Sequence, residues 1–125
     1  MDESLEKRIL LVEDDEVNIF IAEQVFSIEG LKIDKVLNGE AATKAVNDQV
    51  YDLILMDVEM PIMGGIEATE IIRKMENGKH VPIIALTAHS ISDKLEELTT
   101  AGMTDFLIKP FNTKSAQKVI SQYLK

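Results

Sequence analysis

The sequence predicts a doubly wound α/β fold, in which a five-stranded parallel sheet carries helices on both faces. Five short apolar runs alternate with five segments of helical periodicity, and a β-α order repeated in this way implies parallel strands joined by right-handed crossovers. The first, third and fourth runs are almost continuously apolar, as expected of strands that are covered on both faces. We therefore expect one domain over residues 1–125, with a core over about 8–124.

The first two strand–helix pairs are predicted from their apolar spacing and from the residues that end them. The first strand covers Arg8–Val12, and the first helix covers Val17–Glu29. Gly30 follows directly and is placed to end that helix, because glycine readily adopts the left-handed conformation found after many helix ends. The second strand covers Lys32–Val36, and a shorter second helix covers Gly39–Val46.

The remaining three pairs follow the same pattern. The third strand, Leu53–Met56, is separated by a loop containing proline and glycine from a helix over Ile66–Met75. The fourth strand, Val81–Leu86, has Pro82 near its start, where a missing N–H donor is tolerated. The other predicted elements are a fourth helix over Ser90–Ala101, a fifth strand over Phe106–Ile108 and an amphipathic last helix over Thr113–Leu124.

The composition argues against several classes of protein. The chain has 13 Lys and Arg against 22 Asp and Glu, a net charge of −9, whereas nucleic-acid binding depends on cationic side chains at phosphates. It has no cysteine, and therefore no disulfide framework and no cysteine-based metal site. No apolar run approaches the length of a membrane span, and the polar residues 1–7 do not resemble a secretory signal. We expect a cytoplasmic protein that binds neither nucleic acid nor membrane.

Polar side chains follow four of the predicted strands. Glu13 and Asp14 come after the first strand, Asp57 after the third, Thr87 after the fourth and Lys109 after the fifth. Because the carboxyl ends of parallel strands lie along one edge of a sheet, these groups should meet in one crevice, where open α/β sheets bind ligands. Each of these residues alone would be an ordinary cap, turn or surface residue. In combination they predict a functional site.

The chemistry predicted for this crevice is phosphoryl transfer. Clustered carboxylates raise one another's pKa unless a cation lies between them, and an all-oxygen ligand set favours Mg²⁺. Mg²⁺ commonly uses only one or two carboxylates, which leaves a carboxylate to act as a nucleophile and form an acyl phosphate. Mg²⁺, Lys109 and the Thr87 hydroxyl would neutralise charge on the phosphoryl oxygens, and the small side chain of Ala88 would leave room for that group.

Four short motifs make the chain resemble the response-regulator receiver domains of two-component signalling. They stand in family order over about Arg8–Lys125: Glu13-Asp14, Tyr51-Asp52-Leu53-Ile54-Leu55-Met56-Asp57 followed by Met60-Pro61, Leu86-Thr87-Ala88, and Lys109-Pro110-Phe111. The resemblance implies a flavodoxin-like fold and transfer of a phosphoryl group from a histidine kinase or a phosphotransfer protein to Asp57. It implies a signalling switch that catalyses only its own phosphorylation and dephosphorylation, not an enzyme with a separate substrate.

The resemblance also implies a role for each residue of the crevice. The direct Mg²⁺ ligands would be Asp14, Asp57 and the backbone carbonyl of Glu59, with Glu13 acting through water. The phosphoryl group would be contacted by Thr87, Ala88 and Lys109. The Glu59 and His89 side chains would flank the mouth of the crevice and tune the lifetime of the acyl phosphate.

The switch implied by the resemblance consists of Thr87, which would move toward the phosphoryl group, and Phe106, which would swing inward. The output surface would cover about Ser90–Leu124, and the Lys109–Pro110 peptide bond would be cis. The sequence departs from the family pattern at two of its positions. Gly64 stands where the family usually has Asp or Asn, which predicts a more flexible loop, and Phe106 replaces tyrosine, so any signal must be read through packing.

Other functions fit the residues less well. An aspartate-nucleophile phosphohydrolase of the haloacid-dehalogenase type needs an Asp-x-Asp string after the first strand, which residues 12–15 do not supply. A flavodoxin-like cofactor binder needs a phosphate loop there, and four consecutive acids would repel a phosphate. A degenerate, unphosphorylated receiver is disfavoured by the intact acid, threonine and lysine set. A stand-alone receiver and a receiver of a hybrid histidine kinase both stay open, and residues 13–18 and 86–89 especially resemble the latter.

Overall fold

The computed structural model describes residues 7–27, 30–60, 62–88 and 95–124, and these form a parallel sheet flanked by helices. The strands are β1 Lys7–Val12, β2 Leu31–Val36, β3 Leu53–Asp57, β4 Ile83–Thr87 and β5 Asp105–Ile108. The helices are α1 Glu16–Val25, α2 Gly39–Asp48, α3 Gly65–Ile72, α4 Leu95–Ala101 and α5 Thr113–Tyr123, with a 3₁₀ helix at Glu76–Gly78. The strand order across the sheet is β2-β1-β3-β4-β5, and the paired strands are parallel. The predicted doubly wound fold class is confirmed.

Side chains alternate along β1 between two cores, one on each face of the sheet. Leu10 and Val12 belong to the core that includes residues of α2, α3 and α4. Ile9 and Leu11 belong to the core that includes residues of α1 and α5. All residues of β3 and β4 are buried, which explains why both strands are apolar up to their last residues, Asp57 and Thr87.

Helix α1 ends at Val25, earlier than the predicted end at Glu29. Phe26, the next residue, is 1% exposed and makes an edge-to-face contact with Phe111, with 6.3 Å between the ring centroids. Gly30 has a φ of 91°, and its carbonyl accepts a 2.7 Å hydrogen bond from the N–H of Lys7. Phe26, and not the predicted Gly30, is therefore the C-cap residue of α1. Residues 28 and 29 lie outside the described residues.

Helix α3 and strand β4 are both shorter than predicted, and the guanidinium of Arg73, directly after α3, binds carbonyls of the segment between them. Helix α3 ends before Met75. Arg73 Nη1 donates to the carbonyls of Gly78 at 2.9 Å and Val81 at 2.6 Å, and Nε donates to that of Gly102 at 2.9 Å. The carbonyl of Val81 thus bonds to a side chain, and β4 begins only after Pro82.

Three further features bear on the predictions. The described part of α4 begins at Leu95, and the predicted start at Ser90 lies outside the described residues. The Lys109–Pro110 peptide bond is cis, as expected. Within the described ranges, no helix has both the length and the apolar character required to cross a membrane.

Candidate functional site

The predicted site residues lie together at the carboxyl ends of the strands. Asp57 is the last residue of β3 and Thr87 is the last residue of β4, while Glu13 directly follows β1 and Lys109 directly follows β5. The hydrogen bonding between β4 and β5 continues one residue beyond β5, since the N–H of Lys109 donates a 2.7 Å hydrogen bond to the carbonyl of Thr87. The sheet therefore brings two carboxylates, a hydroxyl and an ammonium into one cleft, as the sequence predicts.

The ammonium of Lys109 lies between two buried carboxylates. Its Nζ is 2.9 Å from Glu13 Oε1 in an ion pair, and it donates a 3.1 Å hydrogen bond to Asp57 Oδ1. The Glu13 and Asp57 side chains are 1% and 7% exposed, and that of Lys109 is 13% exposed. Burial lowers the pKa of Lys109, but its interactions with Glu13 and Asp57 outweigh burial, so the pKa is raised above its ordinary value. Lys109 is therefore a fixed positive charge in the cleft.

Asp57 is a weaker acid than an ordinary aspartate. Burial and the nearby charge of Glu13 raise the pKa of Asp57 from 3.8 to about 6, while the charge of Lys109 opposes this shift. A single ammonium is thus insufficient to offset burial and the neighbouring carboxylate of Glu13. A second cation at this position would stabilise the ionised form of Asp57, which is the nucleophilic form.

Asp15 and Glu16 belong to the start of α1 rather than to the ligand set. Asp15 is the N-cap residue, and its Oδ1 accepts a 3.0 Å hydrogen bond from the N–H of Val17. Asp15 Oδ2 accepts a 3.2 Å bond from Nδ2 of Asn18. The N–H of Asp15 donates at 3.2 Å to Glu13 Oε2, so the cap also orients a carboxylate of the cleft.

The acidic residues of the cleft fit a divalent cation. Glu13, Asp14 and Asp57 each offer one carboxylate oxygen, and these oxygens lie within 4.8 Å of one another. Asp14 is exposed, whereas the other two are buried. An all-oxygen set of this kind suits Mg²⁺, which keeps part of its coordination for water and phosphate oxygens. The cleft has a volume of about 280 Å³ and is lined by Glu13, Asp14, Asp15, Asn18, Asp57, Val58, Glu59, Leu86, Thr87, Ala88 and Lys109.

The remaining predicted phosphoryl-site residues also line this cleft where they are described. Thr87 is 6% exposed, whereas Ala88 and Glu59 are exposed. The N–H of Glu59 lies 3.4 Å from Asp57 Oδ1, which places the backbone after Asp57 beside its carboxylate. His89, the other predicted lifetime-tuning residue, lies outside the described residues. The individual roles of these side chains stay predictions.

Phe106 lies away from the cleft, on β5. It is half-buried and packs against the core on the α4 side of the sheet. It lines a cavity of about 100 Å³ with residues of α4, and it also lines a groove of about 350 Å³ beside α5. Phe106 thus lines two spaces, one beside α4 and one beside α5, and its switch role stays a prediction.

The loop between β3 and α3 shows why Gly64 and Gly65 differ. A Cβ on Gly65 would lie 2.2 Å from the carbonyl oxygen of Asp57, so that the site backbone requires glycine there. Gly64 is the N-cap residue of α3 with a φ of −76°, an ordinary value, and no described side chain caps this helix. Ile62 has a φ of 71° and is 77% exposed, an uncommon conformation for a β-branched residue.

Two interactions are absent from the sequence prediction, one in the cleft and one beside Phe106 on β5. Asn18 lines the cleft, and its spacing from Asp15 at a helix start could have indicated a shared turn. Tyr123 Oη donates a 2.8 Å hydrogen bond to Asp105 Oδ2, and Asp105 Oδ1 accepts a 2.8 Å bond from the N–H of Phe106. Nothing in the sequence pattern indicates this link between α5 and the backbone of Phe106.

Comparisons with known proteins agree with this geometry. The family model described as "Response regulator receiver domain" matches residues 9–121. Probable histidine kinase 1 of Oryza sativa subsp. indica is 38% identical, over 94% of this chain and 15% of the kinase. Sensor protein GacS of Pseudomonas syringae pv. syringae is 37% identical, over 93% of this chain and 13% of that protein. Two-component response regulator ORR41 of Oryza sativa subsp. japonica is 37% identical, over 93% of both chains.

Solved structures show the same similarity in three dimensions. The receiver domain of the sensor histidine kinase PA1611 from Pseudomonas aeruginosa PAO1, with a magnesium ion coordinated in its active-site cleft, matches with a TM-score of 0.87 and 39% identity. That match covers 95% of this chain and 98% of the other. Chemotaxis protein CheY4 of Vibrio cholerae matches with a TM-score of 0.88 and 26% identity, over 94% of this chain and 98% of the other. The chain spans 15% or less of the two sensor kinases named above.

Proposed function

Because the chain belongs to the response regulator receiver domain family of two-component signalling, we propose that Asp57 accepts a phosphoryl group and thereby switches partner binding. The observation that carries the proposal is the placement of Asp57. It ends a buried strand, it shares the cleft with two further carboxylates, and its carboxylate contacts the ammonium of Lys109 at 3.1 Å.

The transfer would be a substitution at phosphorus. An Oδ of ionised Asp57 attacks the phosphorus atom of a phosphohistidine, a new P–O bond forms, and the P–N bond to the histidine breaks. The departing imidazole nitrogen keeps the electron pair and takes up a proton. The product is an acyl phosphate on Asp57. In this proposal the chain catalyses only the formation of this acyl phosphate and its later hydrolysis.

The residues around Asp57 would position and neutralise the phosphoryl group. Lys109 is already held within hydrogen-bond distance of Asp57 and would donate to a phosphoryl oxygen. The Thr87 hydroxyl would approach a second oxygen, and Ala88 would leave space at the mouth. These groups supply fixed charges and dipoles where charge accumulates in phosphoryl transfer.

Mg²⁺ is the proposed cofactor. Asp14, Asp57 and the Glu59 carbonyl would bind it directly, and Glu13 would act through water. When bound, Mg²⁺ would neutralise charge on the phosphoryl oxygens. The support comes from the three clustered carboxylate oxygens and from the similar receiver of PA1611, whose structure contains magnesium in the cleft.

The proposed phosphoryl donor is a histidine kinase or a histidine phosphotransfer protein. The proposed downstream partner is a protein that binds the surface formed by Ser90–Leu124. Thr87 and Phe106 would link the two events, and Glu59 with His89 would tune how long the phosphoryl group persists. The relatives include sensor kinases, of which the chain spans a small part, and a response regulator of matching length. A cytoplasmic location and a single domain over residues 1–125 stay predictions.

Intact-mass measurement tests the proposal. Wild type and Asp57→Asn are incubated with acetyl phosphate and Mg²⁺, and each product is treated with hydroxylamine, which cleaves acyl phosphates. We expect one added phosphoryl group in wild type, reversed by hydroxylamine, and none in the variant. An identical adduct on both proteins would refute Asp57 as the acceptor.

A second assay covers receivers that accept only from their own kinase. Beryllofluoride mimics the phosphoryl group without a donor, and we expect it to raise the unfolding midpoint of wild type but not of Asp57→Asn. If neither acetyl phosphate nor beryllofluoride acts on wild type, the chain is a degenerate receiver. The phosphohydrolase alternative would instead predict turnover of small phosphate esters.

A further inference from the structure

The β3–α3 loop, which the structure describes for residues 58–60 and 62–64, carries at its start the backbone that faces the carboxylate of Asp57. At its start, the N–H of Val58 donates a 3.1 Å hydrogen bond to the carbonyl of Leu86 in β4. At its end, the N–H of Gly65 donates at 3.0 Å to the carbonyl of Val58. Between these two attachments lies Glu59, whose N–H is 3.4 Å from Asp57 Oδ1. The path of this loop therefore sets where the Glu59 backbone stands relative to Asp57.

A third attachment reaches the loop from a different part of the fold. The N–H of Gly39, the first residue of α2, donates a 3.0 Å hydrogen bond to the carbonyl of Met63. The first N–H groups of a helix have no partner within the helix. The Asn38 side chain accepts from the N–H of Ala41 at 2.8 Å, so that the N–H of Gly39 is left to hold the loop.

The contact requires a residue without a side chain. A Cβ on Gly39 would lie 2.5 Å from the Met63 carbonyl oxygen and 3.0 Å from both Met63 Cγ and Ala68 Cβ. The first of these distances is shorter than real Cβ contacts allow, and the atom that it meets is backbone. Gly39 is thus required for a close approach of two chain segments, and any side chain there must displace Met63.

We propose that Gly39 is a positioning residue for the phosphoryl cleft, which it controls through the carbonyl of Met63. The inference rests on the proposed function, because it assumes that the cleft binds Mg²⁺ beside Asp57. Neither Gly39 nor Met63 lines the cleft, so the effect is transmitted through the loop to the Glu59 backbone. A shift of α2 must therefore move the loop that carries Glu59, so that the position of the β2–α2 junction affects the geometry of the cleft.

Gly78 provides a matched control for simple loss of packing. A Cβ on Gly78 would lie 2.2 Å from the carbonyl oxygen of Ile72, again a collision with backbone. Gly78 lies in the 3₁₀ helix before β4, at the end of the sheet opposite the cleft, and does not line the cleft. Gly78→Ala should therefore lower stability as Gly39→Ala does, without reaching the site.

The first experiment compares wild type, Gly39→Ala and Gly78→Ala by urea unfolding and by calorimetric titration with Mg²⁺. Both variants should be less stable than wild type. Only Gly39→Ala should bind Mg²⁺ more weakly, by about tenfold, the lower range seen when residues that orient metal ligands are changed. Unaltered Mg²⁺ affinity in Gly39→Ala, or an equal loss in Gly78→Ala, would overturn the proposal.

The second experiment needs no substitution and decides the matter if Gly39→Ala fails to fold. The chain has six glycines, so ¹⁵N-glycine labelling gives a simple amide spectrum. The amide of Gly39 should be protected from hydrogen exchange, and Mg²⁺ should slow its exchange by a larger factor than that of Gly78, whose slowing reports only the global stabilisation by the bound ion. Fast exchange at Gly39, or exchange insensitive to a saturating Mg²⁺ concentration, would refute the inference. Failure of wild type itself to bind Mg²⁺ would instead refute the proposed function and the inference together.

Discussion

Lys109 Nζ lies 3.1 Å from Asp57 Oδ1, and the same ammonium is 2.9 Å from Glu13 Oε1. One cation therefore serves two buried carboxylates while a third, Asp14, remains exposed at the edge of the cleft. The raised pKa of Asp57 shows that this compensation is incomplete. The cleft is consequently a place where added positive charge stabilises the fold and where loss of Lys109 destabilises it.

Asp57→Asn should increase the stability of the metal-free protein at pH 7. The pKa of Asp57 is raised from 3.8 to about 6 in the folded protein, so folding favours its protonated form. The stability associated with that proton is present below about pH 4 and is lost as pH rises through about 6. At pH 7 the ionised carboxylate therefore lowers the free energy of unfolding by about 3 kcal/mol, a cost that asparagine avoids.

Urea unfolding of both proteins at pH 4, 5 and 7 checks this prediction. The difference in unfolding free energy should be small at pH 4 and should grow toward pH 7. Saturating Mg²⁺ should reduce the difference, because a ligand that binds only the folded wild type stabilises it by mass action. A variant less stable than wild type at pH 7 without Mg²⁺ would contradict the expected sign.

Lys109→Gln should destabilise the metal-free protein. The change leaves Glu13 and Asp57 buried without their shared ammonium, and the pKa of Asp57 should rise further because the charge of Lys109 lowers it. We expect a loss of about 1–3 kcal/mol at pH 7. Mg²⁺ should restore part of it by occupying the acidic cleft. Chemical denaturation with and without Mg²⁺ measures both effects, and Lys118→Gln, on the exposed face of α5, is the control for removal of a positive charge.

The fold and the main site could be predicted because both depend on local patterns that the sheet repeats. An apolar run followed by Asp57 or Thr87 indicates both that the strand is buried and where it ends. The strand-end rule then places Lys109 beside Asp57 without knowledge of the loops between them. The rule thus predicts that the carboxylates of Glu13, Asp14 and Asp57 share one cleft with the ammonium of Lys109.

Element ends and remote contacts could not be predicted, because they depend on partners distant in sequence. The apolar pattern of α3 continues past its real end, and the carbonyl of Val81, at the predicted start of β4, bonds to the Arg73 guanidinium. The contact of Gly39 with the Met63 carbonyl requires the packing of α2 beside the β3–α3 loop. The link between Asp105 and Tyr123 likewise appears only when α5 lies against β5.

Tyr123→Phe should lower stability below about pH 10 through loss of the bond to Asp105. Burial and the hydrogen bond to Asp105 raise the pKa of Tyr123 to about 12. The associated stability is present below about pH 10 and is lost as pH rises through about 12. We expect a loss of about 0.5–1.5 kcal/mol at pH 8.

Absorbance titration of tyrosinate provides the direct measurement for Tyr123. The chain has two tyrosines, and the pKa of Tyr51 is also raised to about 12, by burial and by its hydrogen bond to Asp34. Tyr51→Phe isolates the signal of Tyr123, and Asp105→Asn in that background should move it toward 10. Titration of Tyr123 near 10 in the otherwise unchanged protein would show that the bond is absent in solution.

Gly64→Asn should provide the cap that α3 lacks among the described residues. The φ of −76° at Gly64 suits any residue, and an asparagine oxygen at an N-cap accepts a hydrogen bond from the first turn. The new Cβ would lie 3.3 Å from the Val58 carbonyl oxygen, a tight contact that Gly64→Ala would share. The difference between the two variants therefore isolates the cap, and Gly64→Asn should be the more stable by about 1 kcal/mol. Thermal and urea unfolding measure this difference, and equal stability of the two variants would mean that the first turn of α3 is already satisfied by water.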